Sequence, residues 1–233
     1  SGMTEGEYLD FLLEDAKSRI ETLGSENIAC FIAEPIQGAG GLIVPPNGYH
    51  VRMGALCKDY DIKYITDEVV TAFGRLGHFF ASKDVFGVQP DIITTAKGLT
   101  SGYQPLSATI ISDEIHEVIS GEGSMFLHGM TYSGHPAASA AALANIALME
   151  KEGIPQRVQK TGKHFENSLH KLSELDLVGE VRGSHFMMGI EFVKEKINKT
   201  PFEPEDKIGL KRNSLFSDQQ KSQQDTINNF CKK

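Results

Sequence analysis

Apolar side chains recur at helical spacing near the start of the chain and predict an amphipathic first helix. Thr4 and Glu7 stand three residues apart, as in a capping box that begins a helix. Gly24 provides a stop. The apolar positions between them are Leu9, Leu12, Ala16, Ile20 and Leu23. Later helices are predicted over 136–151 and 155–175, and a loop that passes into a helix over 45–60.

Short continuous apolar runs alternate with these helices and predict buried strands. The runs cover 28–33, 62–66, 92–95 and 106–111, and strands of a smaller unit are expected at 181 and 186–193. Such strands, separated by helices, are typical of a mostly parallel sheet that is covered on both faces. The pattern therefore predicts an α/β fold, in which ligands bind at the carboxyl ends of the strands.

Lys97 follows the strand predicted at 92–95 after one residue, Ala96. Its neighbours Ala96 and Gly98 are small, so a bulky ligand could approach the amine. A free lysine has a pKa of about 10.4 and is a weak nucleophile at neutral pH. Desolvation or a nearby cation would lower that pKa and permit Schiff-base chemistry. The alternative is a lysine that extends from a strand end into water, which is commoner for a lysine considered alone.

Asp67 and Glu68 follow the strand predicted at 62–66. Adjacent residues of a strand point to opposite faces, so these two carboxylates are expected to serve different purposes. One would face a cleft, where a carboxylate can keep a pyridine nitrogen protonated, and the other would face solvent or a helix end. The alternatives are two solvated acids or the magnesium-binding strand of a P-loop ATPase. The second lacks support, because no Gly-x-x-x-x-Gly-Lys-Ser/Thr occurs.

The composition argues against several classes of binding partner and favours one cellular compartment. The 233 residues carry 23 basic and 31 acidic side chains and a net charge of −8, which argues against nucleic acid or an anionic membrane as the main partner. No apolar run approaches the roughly 18 residues that span a bilayer, and no secretory signal is recognised. Three widely spaced cysteines favour a reducing compartment, so a cytoplasmic location is expected. No histidine or cysteine spacing predicts a metal site.

Five specific segments follow one another along the chain. They are Glu34-Pro-Ile-Gln-Gly-Ala-Gly-Gly, Thr66-Asp-Glu-Val-Val, Phe73-Gly-Arg-Leu-Gly, Pro90-Asp-Ile-Ile-Thr-Thr-Ala-Lys-Gly-Leu and Thr131-Tyr-Ser-Gly-His-Pro. In order and spacing they resemble class III aminotransferases, and the resemblance runs from about residue 3 to residue 193. It is strongest to the omega-amino-acid branch, whose members transfer amino groups to keto acids such as pyruvate.

The resemblance implies the large domain of a fold type I aminotransferase, with a mostly parallel sheet, plus part of the small C-terminal domain. It divides the chain into part of a large cofactor-binding domain at 1–153 and a linking helix with a partial small domain at 154–210. A polar tail at 211–233 is expected to be mobile, because it can bury little apolar surface. Family members are longer at the N-terminus, so a fragment or truncated form is expected.

The resemblance also implies pyridoxal 5'-phosphate as the cofactor and a role for each site residue. Lys97 would form a Schiff base with the cofactor and then shuttle the proton between substrate carbon and cofactor. Asp67 would pair with the pyridine nitrogen, whose positive charge makes the ring an electron sink. Val69, on the same strand face as Asp67, would pack against the ring. Thr131 would bind the cofactor phosphate of the neighbouring subunit, in a homodimer with shared active sites.

The implied activity is that of a transaminase, with an amine or omega-amino acid as donor and a keto acid such as pyruvate as acceptor. Related aminomutases and decarboxylases use the same lysine and aspartate, and the sequence separates these reactions poorly. A third alternative is a catalytically silent fragment that binds the cofactor weakly, because the family's phosphate-binding turn does not occur in this chain.

Overall fold

A computed structural model describes residues 2–206, beginning with the predicted helix α1 (Glu5–Leu23). The capping box is present: the Glu7 backbone donates to Thr4 Oγ1 at 3.3 Å, and the Thr4 backbone donates to the Glu7 carboxylate at 2.8 Å. Gly24 ends the helix with a φ of 78°, a backbone angle that suits glycine. The helix buries one stripe, formed by Leu9, Leu13 and Ile20.

Four strands form the larger sheet, and they confirm the predicted mostly parallel arrangement. They are β1 (Cys30–Ala33), β2 (Lys63–Asp67), β3 (Ile92–Thr95) and β4 (Ala108–Ile111), in that spatial order. The first three are parallel to one another, whereas β4 runs antiparallel to β3. Each strand lies within its predicted apolar run or extends one residue beyond it.

Helices connect the strands, and two of the short ones were not predicted. The helices after α1 are α2 (Tyr49–Asp59), α3 (Ala81–Asp84), α4 (Asp113–Ser120), α5 (Pro136–Lys151) and α6 (Ile154–His170). The unpredicted helices are α3 and α4. Ser112 caps α4 by accepting from the Ile115 backbone at 3.4 Å, so the capping residue was visible in the sequence.

Helices α1 and α2 cover one face of the larger sheet and form the main core with it. The buried core residues are Leu9, Leu13, Ile20, Met53, Cys57, Ile62, Tyr64 and Val88. On the opposite face Ile32 is 57% exposed, and its register partners Ile65 and Ile92 are only half-buried. The expectation that both faces are covered is therefore wrong for residues 2–206. The face toward α1 and α2 is also covered only in part, since Phe31 is half-buried and Ile110 is 42% exposed.

A smaller antiparallel sheet follows α6. Its strands are β5 (Val178–Ser184), β6 (Met187–Glu195) and β7 (Thr200–Pro201), of which the first two match the predicted positions. Gly183 has a φ of 120°, and a Cβ there would lie 2.0 Å from the Met187 carbonyl oxygen, so the tight β5–β6 connection requires glycine. The predicted polar tail at 211–233 lies outside the described residues. Between residues 2 and 206 no helix has the length and apolar character that crossing a bilayer demands.

Candidate active site

Asp67 and Lys97 lie at the carboxyl ends of two neighbouring parallel strands. Asp67 is the last residue of β2 and is paired in register with Thr94 of β3. Lys97 follows β3 after one further residue, Ala96. Since neighbouring strands lie about 4.8 Å apart, the fold brings these two residues close together at the carboxyl end of the sheet. Open α/β sheets bind ligands at this end.

The backbone at Lys97 is held in an unusual conformation. Its φ is 40°, in the left-handed region, at the start of a 3-10 turn over Lys97–Leu99. Such a conformation costs about 1–3 kcal/mol for a residue other than glycine and persists only where the surroundings enforce it. Gly98 packs so closely on Phe73 that a Cβ at position 98 would lie 2.8 Å from Phe73 Cβ. The Lys97 amine is exposed and has no hydrogen bond or ion pair within residues 2–206.

Asn145 of α5 fastens the turn that presents Lys97, a role that sequence reasoning missed. Its Nδ2 donates to the carbonyl oxygens of Gly98 at 2.9 Å and Leu99 at 3.1 Å. Its Oδ1 accepts from the Ser101 hydroxyl at 2.8 Å. The sequence offers one indication of this role: Asn145 is an amide side chain inside a helix that is otherwise rich in alanine and leucine.

The Asp67 carboxylate is half-buried and only partly engaged by protein groups. Its Oδ1 accepts from the Val69 backbone at 3.0 Å, and within the described part of the chain its Oδ2 has no protein donor. One oxygen is therefore available to a cationic ligand. The predicted placement of Val69 on the strand face is wrong, because β2 ends at Asp67 and Val69 lies in the turn that follows. Its side chain is half-buried there.

Glu68 is the fully buried acid of the pair. It caps the start of a helix, which agrees with the expectation that one of the two acids faces solvent or a helix end. Its Oε1 accepts from the backbone and hydroxyl of Ser82, and its Oε2 accepts from the Ala81 backbone and the Thr71 hydroxyl. The Ala81 and Ser82 amides belong to the first turn of α3. The reading of two solvated acids is therefore wrong for Glu68, which anchors the segment just beyond β2 while Asp67 faces outward.

A cleft of about 580 Å³ opens beside Asp67 at the edge of the sheet formed by β1. We call it the Asp67 cleft. The residues that line it include Tyr8, Phe31, Glu34, Gln37, Ile43, Val44, Tyr49, His50 and Asp67. Lys97 is not a lining residue of this cleft, so the described chain encloses the aspartate end of the site and leaves the lysine amine open to solvent.

His50 is a buried residue in the lining of the Asp67 cleft, and it joins three elements. Its Nε2 is 3.0 Å from the Pro35 carbonyl oxygen and its Nδ1 is 2.7 Å from the Tyr64 hydroxyl. Because a carbonyl can only accept, Nε2 carries the proton and Nδ1 accepts from Tyr64. Burial lowers the pKa of His50 and raises the pKa of Tyr64, so both side chains are neutral near pH 7. The pair joins α2 and β2 to the loop that follows β1.

Thr131 lies in a segment, 120–137, in which every residue is exposed. Within residues 2–206 it forms no hydrogen bond with Asp67 or Lys97. Among the described residues, no contact links Thr131 to the other predicted site residues. No group of three or more His, Cys, Asp or Glu side chains in this described range is arranged to hold a metal ion.

Comparison with known proteins places these residues in a family. Residues 4–214 match the family described as aminotransferase class III. A putrescine–pyruvate aminotransferase of Pseudomonas aeruginosa is 43% identical over 201 residues, covering 86% of this chain and 44% of the relative. A mitochondrial gamma-aminobutyrate transaminase 1 of Oryza sativa subsp. japonica is 40% identical, covering 89% of this chain and 41% of the relative.

Solved structures agree with the sequence comparison. The crystal structure of a thermostable (S)-enantioselective omega-transaminase from Thermomicrobium roseum matches with a TM-score of 0.86 and 45% identity, covering 90% of this chain and 46% of that chain. The chain thus spans about half the length of the relatives that it matches. The prediction of a fold type I α/β architecture is confirmed. With its motifs, its fold and a family match over most of its length in agreement, the chain belongs to the class III aminotransferase family.

Proposed function

We propose that the chain carries the catalytic lysine and the ring-nitrogen partner of a pyridoxal-phosphate-dependent transaminase. The enzyme would move an amino group from an amine or omega-amino acid to a keto acid such as pyruvate. The observation that carries this proposal is the placement of Asp67 and Lys97 at the carboxyl ends of neighbouring parallel strands. Relatives named for putrescine, pyruvate and 4-aminobutyrate support this class of substrates.

The side chains at these strand ends fit pyridoxal phosphate. When bound, the cofactor supplies an aldehyde that amines attack and a ring that delocalises electrons released at the substrate carbon. Among the residues that the structure describes, one oxygen of the Asp67 carboxylate has no protein donor, and this oxygen would hold the proton on the ring nitrogen. The accessible Lys97 amine would hold the cofactor covalently and then move the proton at the substrate carbon. Val69, half-buried in the turn after Asp67, would contact the ring.

We further propose that the active form is a homodimer with shared sites. The exposed segment 120–137 carries a run of large apolar side chains, among them Met125 at 77%, Leu127 at 85% and Tyr132 at 79% exposed. Such an exposed apolar run is typical of a protein–protein interface. Thr131 lies within it and would donate its hydroxyl to the cofactor phosphate of the partner's site. We also propose a cytoplasmic location. The same proposal divides the chain after residue 153, where the large domain would end, and after residue 210, where the partial small domain would end.

A spectroscopic titration tests the cofactor assignment on the chain itself. Added pyridoxal phosphate should give the visible absorbance band of a lysine adduct, and borohydride should fix the label on the peptide that contains Lys97. Lys97→Ala should lose the band and the label, whereas Lys83→Ala, at an exposed lysine of α3, should keep both. Equal labelling of Lys97→Ala would show that another amine binds the cofactor.

Product analysis separates the transaminase from its alternatives. An aminomutase would return a positional isomer of the donor, and a decarboxylase would release carbon dioxide, whereas a transaminase produces alanine from pyruvate.

Asp67→Asn should still bind the cofactor but react much more slowly, because the ring nitrogen loses its anionic partner. Unchanged turnover in Asp67→Asn would contradict its role. A chain that forms no adduct at all would be the silent fragment considered above.

A further inference from the structure

A hairpin over residues 37–43 forms one wall of the Asp67 cleft. Gln37 and Ile43 exchange two backbone hydrogen bonds of 3.0 Å at its base, and both residues line the cleft. At the tip, the Leu42 backbone donates to the Gly38 carbonyl oxygen at 3.0 Å. The position of this hairpin therefore sets the width of the cleft beside Asp67.

Arg182 of β5 fastens the tip of the hairpin to the smaller sheet. Its Nε donates to the carbonyl oxygens of Gly41 at 3.0 Å and Leu42 at 3.1 Å, and its Nη2 donates to that of Gly41 at 2.6 Å. Its Nη1 pairs with Glu191 and, at 3.6 Å, with Glu180. One edge of the planar guanidinium is thus held by carboxylates of β5 and β6, and the other edge holds the hairpin.

An apolar contact acts on the same tip. A Cβ at Gly183 would lie 2.9 Å from Leu42 Cδ2, and a Cβ at Gly189 would lie 3.2 Å from Leu42 Cβ. These glycines stand on the paired strands β5 and β6. The Leu42 side chain therefore occupies space that any larger residue at either position would fill, and it ties the hairpin to the small sheet independently of the charged contact.

We propose that Arg182 is a positioning residue that orders the 37–43 hairpin as a wall of the Asp67 cleft, and so couples the smaller sheet to cofactor binding. This rests on the proposed function, since it takes the Asp67 cleft as part of the cofactor site. A lysine at position 182 would keep the positive charge between Glu180 and Glu191. It would lose the planar fork that also reaches the two hairpin carbonyls.

Hydrogen–deuterium exchange of the whole chain tests this ordering without any cofactor. In Arg182→Lys, the two amides that bridge the hairpin base, those of Gln37 and Ile43, should exchange about tenfold faster. Amides within the β5–β6 pair should keep their wild-type rates. Lys199→Arg is the matched control, because it changes the cation of another Glu180 ion pair, of 3.5 Å, and touches no hairpin carbonyl.

Cofactor titration gives the second readout. The dissociation constant for pyridoxal phosphate, followed by absorbance, should rise about tenfold in Arg182→Lys and stay unchanged in Lys199→Arg. Leu42→Ala removes the apolar contact instead of the charged one. It should loosen the same two hairpin amides and weaken cofactor binding even if Arg182→Lys fails to fold.

Three results would overturn the proposal. The first is hairpin exchange at the wild-type rate in a folded Arg182→Lys chain, or in Leu42→Ala where Arg182→Lys does not fold. The second is an equal acceleration of exchange at the β5–β6 amides, and the third is faster hairpin exchange with an unchanged cofactor dissociation constant. The second of these would reduce Arg182 to a structural residue of its own sheet. If the wild-type chain forms no adduct band, the proposed function of this chain fails instead. The exchange rates then decide separately whether Arg182 orders the hairpin.

Discussion

Replacing Glu68 by glutamine should destabilise the fold strongly, although the side chain keeps its shape. Each carboxylate oxygen accepts from one backbone amide and one hydroxyl: Oε1 from the Ser82 backbone at 2.8 Å and hydroxyl at 2.6 Å, Oε2 from the Ala81 backbone at 2.7 Å and the Thr71 hydroxyl at 3.0 Å. In glutamine one of these oxygens becomes an NH₂ group. A hydroxyl opposite it can rotate and accept, but a backbone amide cannot.

The size of the effect follows from that one orphaned amide. A hydrogen bond to a charged group contributes about 1.5–3 kcal/mol, and a buried donor left unpaired costs about 1–3 kcal/mol. Because these two terms overlap, we expect a loss of about 3 kcal/mol for Glu68→Gln. Glu114→Gln provides the control, since Glu114 is an exposed acid whose single strong partner is Lys63 at 2.7 Å. Its loss of stability should be far smaller.

Urea unfolding followed by circular dichroism measures both variants. The midpoint should fall markedly for Glu68→Gln with an unchanged slope, which would show lost stability and not a change in compactness. If the midpoints of Glu68→Gln and Glu114→Gln were equal, the Glu68 carboxylate would have to be hydrated. The description of Glu68 as the buried anchor of α3 would then be refuted.

Three further variants test other contacts of the site. Asn145→Ala should slow the attachment of pyridoxal phosphate to Lys97, measured as the rate at which the adduct band appears, because the turn loses its side-chain hydrogen bonds. Gly98→Ala should lower the urea midpoint by the equivalent of about 1–3 kcal/mol, since its Cβ would lie 2.8 Å from Phe73 Cβ. Burial lowers the folded-state pKa of His50 below its unfolded value near 6.5, so the unfolded chain binds the proton first. Stability should therefore be full above about pH 6.5 and fall on acidification by at most about 1.4 kcal/mol per pH unit, and His50→Gln should remove that slope. His185→Gln serves as its control, because burial lowers the pKa of His185 as well and the two contributions must be separated.

Regular elements could be predicted wherever the signal is local. The strand at 92–95 and the helix at 136–151 have the bounds that their apolar patterns predicted. The helix predicted over 155–175 ends earlier, at residue 170, because its last part tightens into a 3-10 turn over Lys171–Glu174. Asp67 and Lys97 could be placed at strand ends for the same reason, since each follows such a run, Asp67 directly and Lys97 after one residue.

Features that depend on contacts between distant segments could not be predicted. Helix α3 has four residues, too few to show a period, and it is fixed by the Glu68 carboxylate. The turn that begins at Lys97, whose backbone is left-handed, is bonded by Asn145, which is distant in sequence and contacts the turn only after α5 packs. Val69 was misplaced because alternation along a strand was extended past the residue at which β2 ends.

The buried contacts of Glu68 also fix the direction in which the adjacent Asp67 side chain points, because both residues follow the register of β2. The Glu68 backbone, directly after β2, still donates to the Thr94 carbonyl oxygen of β3 at 2.8 Å, so Glu68 follows the register of the strand. A slip of one residue would turn every side chain to the other face, so that Glu68 would face the cleft and Asp67 the core. The donors that surround the buried position select against this, because they match a carboxylate on the longer glutamate side chain. The anchor that stabilises α3 therefore also keeps the Asp67 carboxylate pointing at the cleft. It follows that Glu68→Gln should weaken cofactor binding as well as the fold, although Glu68 is fully buried and does not line the Asp67 cleft.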